Sequence, residues 1–153
     1  MEPLLTLTKV SYAYHTPDGE TTALKDLNFS LYPGEFLSIV GPSGCGKSTL
    51  LSLIAGLIHP SEGAIDMADH HNIGYMLQKD HLFEWCNIQK NVSLGLDIQH
   101  KLQPKALSDI AHMLDTYGLT SFRYAKPSQL SGGMRQRAAL IRTLALEPDL
   151  LLL

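Results

Sequence analysis

The run Gly41-Pro42-Ser43-Gly44-Cys45-Gly46-Lys47-Ser48 constrains this chain more than any other feature. It fits the pattern GxxxxGK[ST] and follows a β-prone apolar run, Phe36-Leu37-Ser38-Ile39-Val40. After it, Leu50, Leu51, Ile54, Leu57 and Ile58 recur at helical spacing until His59-Pro60 stops them. The order predicted is a strand buried on both faces, a glycine loop, then a helix. Glycines are needed because the loop must curl with its N–H groups pointing inward, where side chains would block the approach of phosphate oxygens. The helix starting near Lys47 adds its positive end, and Lys47 supplies a point charge for the β- and γ-phosphates. Ser48 offers a hydroxyl to Mg²⁺ and Thr49 a further hydrogen bond to phosphate. Cys45 is read as a size-tolerant position whose thiol a bound nucleotide would shield.

Around this motif the chain reads as mixed α/β. Leu5, Leu7, Val10, Tyr12 and Tyr14 predict one strand, and Leu27, Phe29 and Leu31 a second, giving an antiparallel β layer. Pro33-Gly34 is a turn, and short strands are expected over 64–67 and 73–77. Residues 81–128 read as a helical insert, in which Leu107, Ile110, Ala111 and Leu114 form one apolar face between Pro104 and Gly118. Helical pattern returns over 134–146, Pro148 stops it, and Leu150–Leu153 read as a buried strand. The expected organisation is one domain over 1–153: a β layer and phosphate-loop core over 1–80, the insert over 81–128, and a helix and strand over 129–153.

Leu130-Ser131-Gly132-Gly133-Met134-Arg135-Gln136-Arg137 repeats the physics of the first motif, a hydroxyl and exposed N–H groups at the positive end of a helix. One small nucleotide seldom needs two such sites from one chain. Two copies paired head to tail, each closing its second motif over the other's γ-phosphate, would use both. These residues resemble the signature of the ABC ATPase family, LSGGQ followed by a basic helix, with Met134 in place of the usual Gln. The resemblance implies a P-loop NTPase core with an antiparallel β subdomain and an α-helical insert. It also implies ATP and Mg²⁺ as ligands, with Lys47 and Gln78 as catalytic residues. Tyr14 matches the aromatic that stacks on adenine, with Tyr12 the alternative. Gln78 matches the glutamine that reaches Mg²⁺ and the nucleophilic water, so Ser48 and Gln78 are the metal-facing candidates. Leu82-Phe83-Glu84-Trp85 is similar to the LLPW stretch of the nitrate, sulfonate and taurine importer branch, with Glu84 where proline is usual. Trp85 either faces a permease's coupling helix or packs within the insert.

The family resemblance implies an energising subunit, cytoplasmic and peripheral on the inner face of the membrane. Its partners would be a second copy or a full-length copy, a transmembrane permease and, indirectly, a substrate-binding protein. In the family, four apolar residues matching Leu150–Leu153 lead into the magnesium-holding Asp, the catalytic Glu and a switch His. The chain is therefore expected to be incomplete at that point, and residues 1–153 alone to turn over ATP negligibly. The competing readings are a non-catalytic interaction fragment and a soluble, non-transport ABC ATPase. Repair ATPases of that second kind carry long heptad-patterned insertions, and no heptads occur between Ser48 and Leu130.

Composition excludes other classes. At 44% hydrophobic and 18% charged over 153 residues, the chain can bury a sizeable core. A net charge of -3 gives no basic field for nucleic acid. Cys45 and Cys86 form no CxxC group, and His70-His71 have no spaced third ligand, so they read as solvated loop histidines. Asp66 and Asp69 receive no role. Met1–Leu5 lack a basic segment before an apolar one, and no apolar run approaches a bilayer span.

Overall fold

The computed structural model describes residues 2–17, 19–67 and 72–153. Asp69, His70 and His71 lie outside the described residues. The chain divides into two units, residues 1–71 and 72–153.

The first unit is built on β1 (Leu5–Thr16), the central strand of an antiparallel sheet between β2 (Gly19–Leu31) and β3 (Glu62–Met67). Simple alternation would put Leu5 and Leu7 on one face and Val10 on the other. All three are buried, because the register shifts between Leu7 and Val10, where Lys9 adopts φ 50°. This bulge rotates the strand by one residue and returns Val10 to the apolar face. Asp66 is an exposed β3 residue opposite Thr6.

Two expectations for this unit fail. Phe36–Val40 is not a strand, and Phe36 and Val40 are 92% and 90% exposed. A strand exists through ladder bonds to its neighbours, and among the described residues none pairs with this run. The helix after the glycine loop, α1 (Lys47–Ile54), also stops a turn early. Gly56, at φ 71°, ends it: Gly56 N–H donates to Leu53 O and Leu57 N–H to Ser52 O, both at 3.0 Å. This glycine stop turns Leu57 and Ile58 off the helical face.

The second unit pairs β4 (Ile73–Tyr75) in parallel with β5 (Leu150–Leu152), so the leucine run is a strand as expected except at Leu153, which lies outside it and is 66% exposed. The strand expected over 73–77 ends at Tyr75, as far as its partner reaches. The insert holds α2 (Ile88–Ile98) and α3 (Pro104–Thr116), and α4 (Gly132–Leu144) follows the second glycine motif. Pro104 is the first residue of α3, and Gly118 closes it with the same pair of bonds that Gly56 makes. Ile88, Val92, Ile110, Leu114, Leu119 and Ile141 are almost fully buried and join the three helices in one core. The insert and α4 therefore stand on common apolar packing.

Candidate functional site

In the first unit the glycine loop meets the start of α1. Gly46 is the N-cap residue at φ 95°, and a Cβ there would lie 2.6 Å from Ala23 O and 2.8 Å from Leu24 Cδ2. Both the backbone conformation and the approach of β2 therefore require glycine. No side chain caps α1, which leaves its first-turn N–H groups to an outside acceptor. Lys47 Nζ donates to Gly41 O and Pro42 O, each at 2.7 Å, and lies 3.6 Å from Cys45 Sγ. The ammonium is thus held over the loop by main-chain carbonyls, where an entering anion would meet it. Pro42, Ser43, Gly44, Cys45 and Ser48 are exposed around it.

Tyr14 reaches this loop. Its hydroxyl is 2.8 Å from Thr49 Oγ1, its ring is 44% exposed, and Tyr12 stands edge-on to it at 5.0 Å. Thr49 is buried with its hydroxyl on Tyr14. The contact ties the aromatic to the loop.

In the second unit, Ser131 caps α4 by accepting from Met134 N–H at 3.4 Å, and Leu130 anchors the turn in the core. A Cβ on Gly132 or Gly133 would meet nothing within 4 Å. Gln78 is exposed, and its carbonyl accepts from Gln136 Nε2 at 3.2 Å. Trp85 is 75% exposed and its ring lies 4.9 Å from that of Phe83.

Four residues that organise this region received no role from the sequence. Arg135 donates to Asp80 from Nε at 3.0 Å and from Nη2 at 3.2 Å, and Nη2 lies 3.2 Å from Glu84 Oε1. The Glu84 that replaces the usual proline is thus a second acceptor for Arg135. The Arg135 hydrogen bonds hold the Asp80 carboxyl below its ordinary pKa against the opposing effect of burial. Arg142 donates to Asp80 O and His81 O at 2.7 and 2.9 Å, and burial lowers its pKa. Asn91, fully buried, accepts from Phe83 N–H and donates to the carbonyls of Phe83, Cys86 and Asn87. The signal was in the spacing: Arg135 and Arg142 are seven residues apart on one helix face, and Asn91 is a polar residue beside Ile88 and Val92.

Among the described residues no helix is long and apolar enough to cross a membrane, and no group of three His, Cys, Asp or Glu is placed to hold a metal ion. The family model described as ABC transporter matches residues 24–153. The chain is 49% identical over 150 residues to YtlC of Bacillus subtilis, an uncharacterized ABC transporter ATP-binding protein, covering 94% of this chain and 58% of that one. It is 42% identical to a taurine import ATP-binding protein of Pelagibacter ubique, covering 92% of this chain and 56% of the relative. For a nitrate import ATP-binding protein of Synechocystis the identity is 39%, with 97% and 58% covered. The chain thus spans less than two thirds of the length of these relatives. Among solved structures it matches the ATP-binding cassette MJ0796, a dimer in a post-hydrolysis state bound to ADP and Pi, with TM-score 0.84 and 32% identity over 96% of this chain and 72% of that one. With a phosphate loop opening one helix, a serine-capped double glycine opening another, and a family match over residues 24–153, the chain belongs to the ABC transporter family of ATP-binding proteins.

Proposed function

We propose that this chain is the ATP-binding and dimerising part of an importer's energising subunit. ATP sits on Gly41–Thr49 with its adenine against Tyr14, and Ser131–Met134 close on the γ-phosphate of a second copy. The observation that carries this reading is the emptiness around Gly132 and Gly133. Both are helical, neither has a positive φ, and a methyl group would fit at either. Alanine would favour the helix by up to about 1 kcal/mol at each position. Among the described residues nothing requires glycine there, so we assign the requirement to something that approaches from outside, and a phosphate on exposed first-turn N–H groups fits.

Within this reading Lys47 leaves its loop carbonyls for the β- and γ-phosphates. The Ser48 hydroxyl is the oxygen ligand the first unit would give Mg²⁺, with phosphate oxygens and water completing the set, and the Gln78 side chain is the candidate of the second unit. Bound there, the ion would neutralise charge developing on the phosphates. Gln78 then orients the attacking water.

Importer function rests on the relatives named for taurine and nitrate import, which match 92% and 97% of this chain. The exposed Trp85 on Phe83, next to the Gln78–Glu84 segment, is the surface we assign to a membrane permease, and with that partner the protein would sit on the inner face of the membrane. A solute-binding protein would act through that permease. The cargo is selected by those partners.

The test is the Gly132→Ala/Gly133→Ala variant, followed by sedimentation with and without MgATP and by urea denaturation. The expected result is unchanged or raised stability together with loss of ATP-driven pairing, either with itself or with a full-length copy. ATP-driven pairing that survives in the variant would refute the assignment.

A further inference from the structure

The segment from Gln78 to Glu84 is fastened along its length to one helix. Gln136 holds the carbonyl of Gln78, Arg142 holds those of Asp80 and His81, and Arg135 holds the carboxylates of Asp80 and Glu84. His81 sits at φ 45°, a conformation that persists in a non-glycine residue only where surroundings impose it. Asp80 also accepts from Leu82 N–H at 3.1 Å, so one carboxylate closes the local turn and receives the guanidinium.

At the other end of these contacts, α4 begins with Gly132 and Gly133, the residues least able to hold a first helical turn by themselves. The main-chain N–H of Arg135 donates to Ser131 O at 2.9 Å, the first bond of the helix proper. A long side chain at this position leans back over the N-terminal turn, where Arg135 meets Asp80. A lone exposed ion pair contributes little, but a forked arginine on two carboxylates, one only 17% exposed, is a stronger restraint. We propose that Arg135 is a positioning residue. Through Asp80 and Glu84 it locks the Gln78 segment to the Ser131–Met134 turn, so that the two move as one body. This rests on the reading that both elements face nucleotide.

Hydrogen exchange without nucleotide tests the lock directly in wild type, Arg135→Ala, Arg135→Lys, Asp80→Asn and the Arg135→Ala/Asp80→Asn double variant. Arg135→Ala is expected to raise exchange about tenfold in both 79–85 and 131–136, leaving α3 unchanged. Asp80→Asn is expected to do the same more weakly, Arg135→Lys to recover part of the protection, and the double variant to exceed neither single by more than about twofold. If Arg135→Ala unfolds the unit, α3 exchanges as well and Asp80→Asn becomes the deciding variant. Faster exchange in one segment alone, or effects of the two substitutions that multiply, would overturn the proposal. A second arm adds MgATP to wild type: a lock that holds in the first arm, with neither segment protected in the second, would overturn the nucleotide reading and not the lock.

Discussion

Replacing Asn91 with leucine removes a buried hydrogen-bonding hub while keeping the branching of the side chain, and its bulkier methyl groups crowd atoms the amide met at hydrogen-bond distance, so the loss of polar contacts sets a lower bound on the cost. The amide makes four bonds, at 2.7 Å from Phe83 N–H and at 3.1, 3.2 and 3.0 Å to the carbonyls of Phe83, Cys86 and Asn87. Two of those carbonyls keep another donor: Phe83 O accepts from Cys86 N–H, and Asn87 O from Asn91's own N–H. Leucine therefore strands the N–H of Phe83 and the carbonyl of Cys86. At about 1–3 kcal/mol for each stranded group, the expected loss is about 3 kcal/mol, or roughly a hundredfold in the folding equilibrium. Trp85 is the chain's single tryptophan and lies inside the stapled turn, so its fluorescence during urea denaturation follows the second unit. The midpoint is expected to fall by about 1–2 M. Asn91→Asp, which keeps the acceptor and turns a negative charge on three carbonyls, is expected to cost more. A midpoint within about 0.3 M of wild type for Asn91→Leu would refute the reasoning, since it would mean the stranded groups find water at no cost.

Three further outcomes follow from the geometry. Gly46→Ala must adopt φ 95° and crowd Ala23 O, so about 2 kcal/mol or more is lost at the loop, and a fluorescent ATP analogue should bind at least about tenfold more weakly. Tyr14→Phe keeps the ring but leaves the buried Thr49 hydroxyl without its partner, costing about 1 kcal/mol of stability; nucleotide affinity should change by less than about threefold, whereas Tyr14→Ala should lose far more of it. The Asp80 carboxyl has its pKa lowered in the folded chain, chiefly by the Arg135 hydrogen bonds, so its contribution is complete above the unfolded value of about 3.9 and disappears as pH falls through the lower folded value. The difference in urea midpoint between pH 7 and about pH 3, followed by Trp85, should therefore be smaller in Asp80→Asn than in wild type.

Both glycine motifs, the leucine strand and the span of α3 could be read from the residues because each depends on local rules. A loop that curls around phosphate needs glycine at fixed spacing, Pro104 opens a helix, and Gly118 closes one. Gly56 obeys the same closing rule as Gly118, but it sits inside an apolar period that continues through Ile58, and the period concealed the stop. Val10 joined its strand by the right hydrophobicity and the wrong phase, since a bulge at Lys9 leaves no mark on a pattern of twos.

Sequence by itself determined the family and its phosphate chemistry, because backbone curvature and helix starts are dictated by residues next to one another. Only the tertiary structure decided whether an apolar run became a strand and which polar groups met. Phe36–Val40 has the composition of a buried strand, yet hydrogen-bonded pairing is supplied by a neighbour and not by the run itself. Asp80 and Arg135 lie 55 residues apart, and Tyr14 and Thr49 lie 35 apart. No periodicity links them; they meet because packing of the apolar faces fixes where each polar side chain ends, and those meetings give each glycine motif its surroundings.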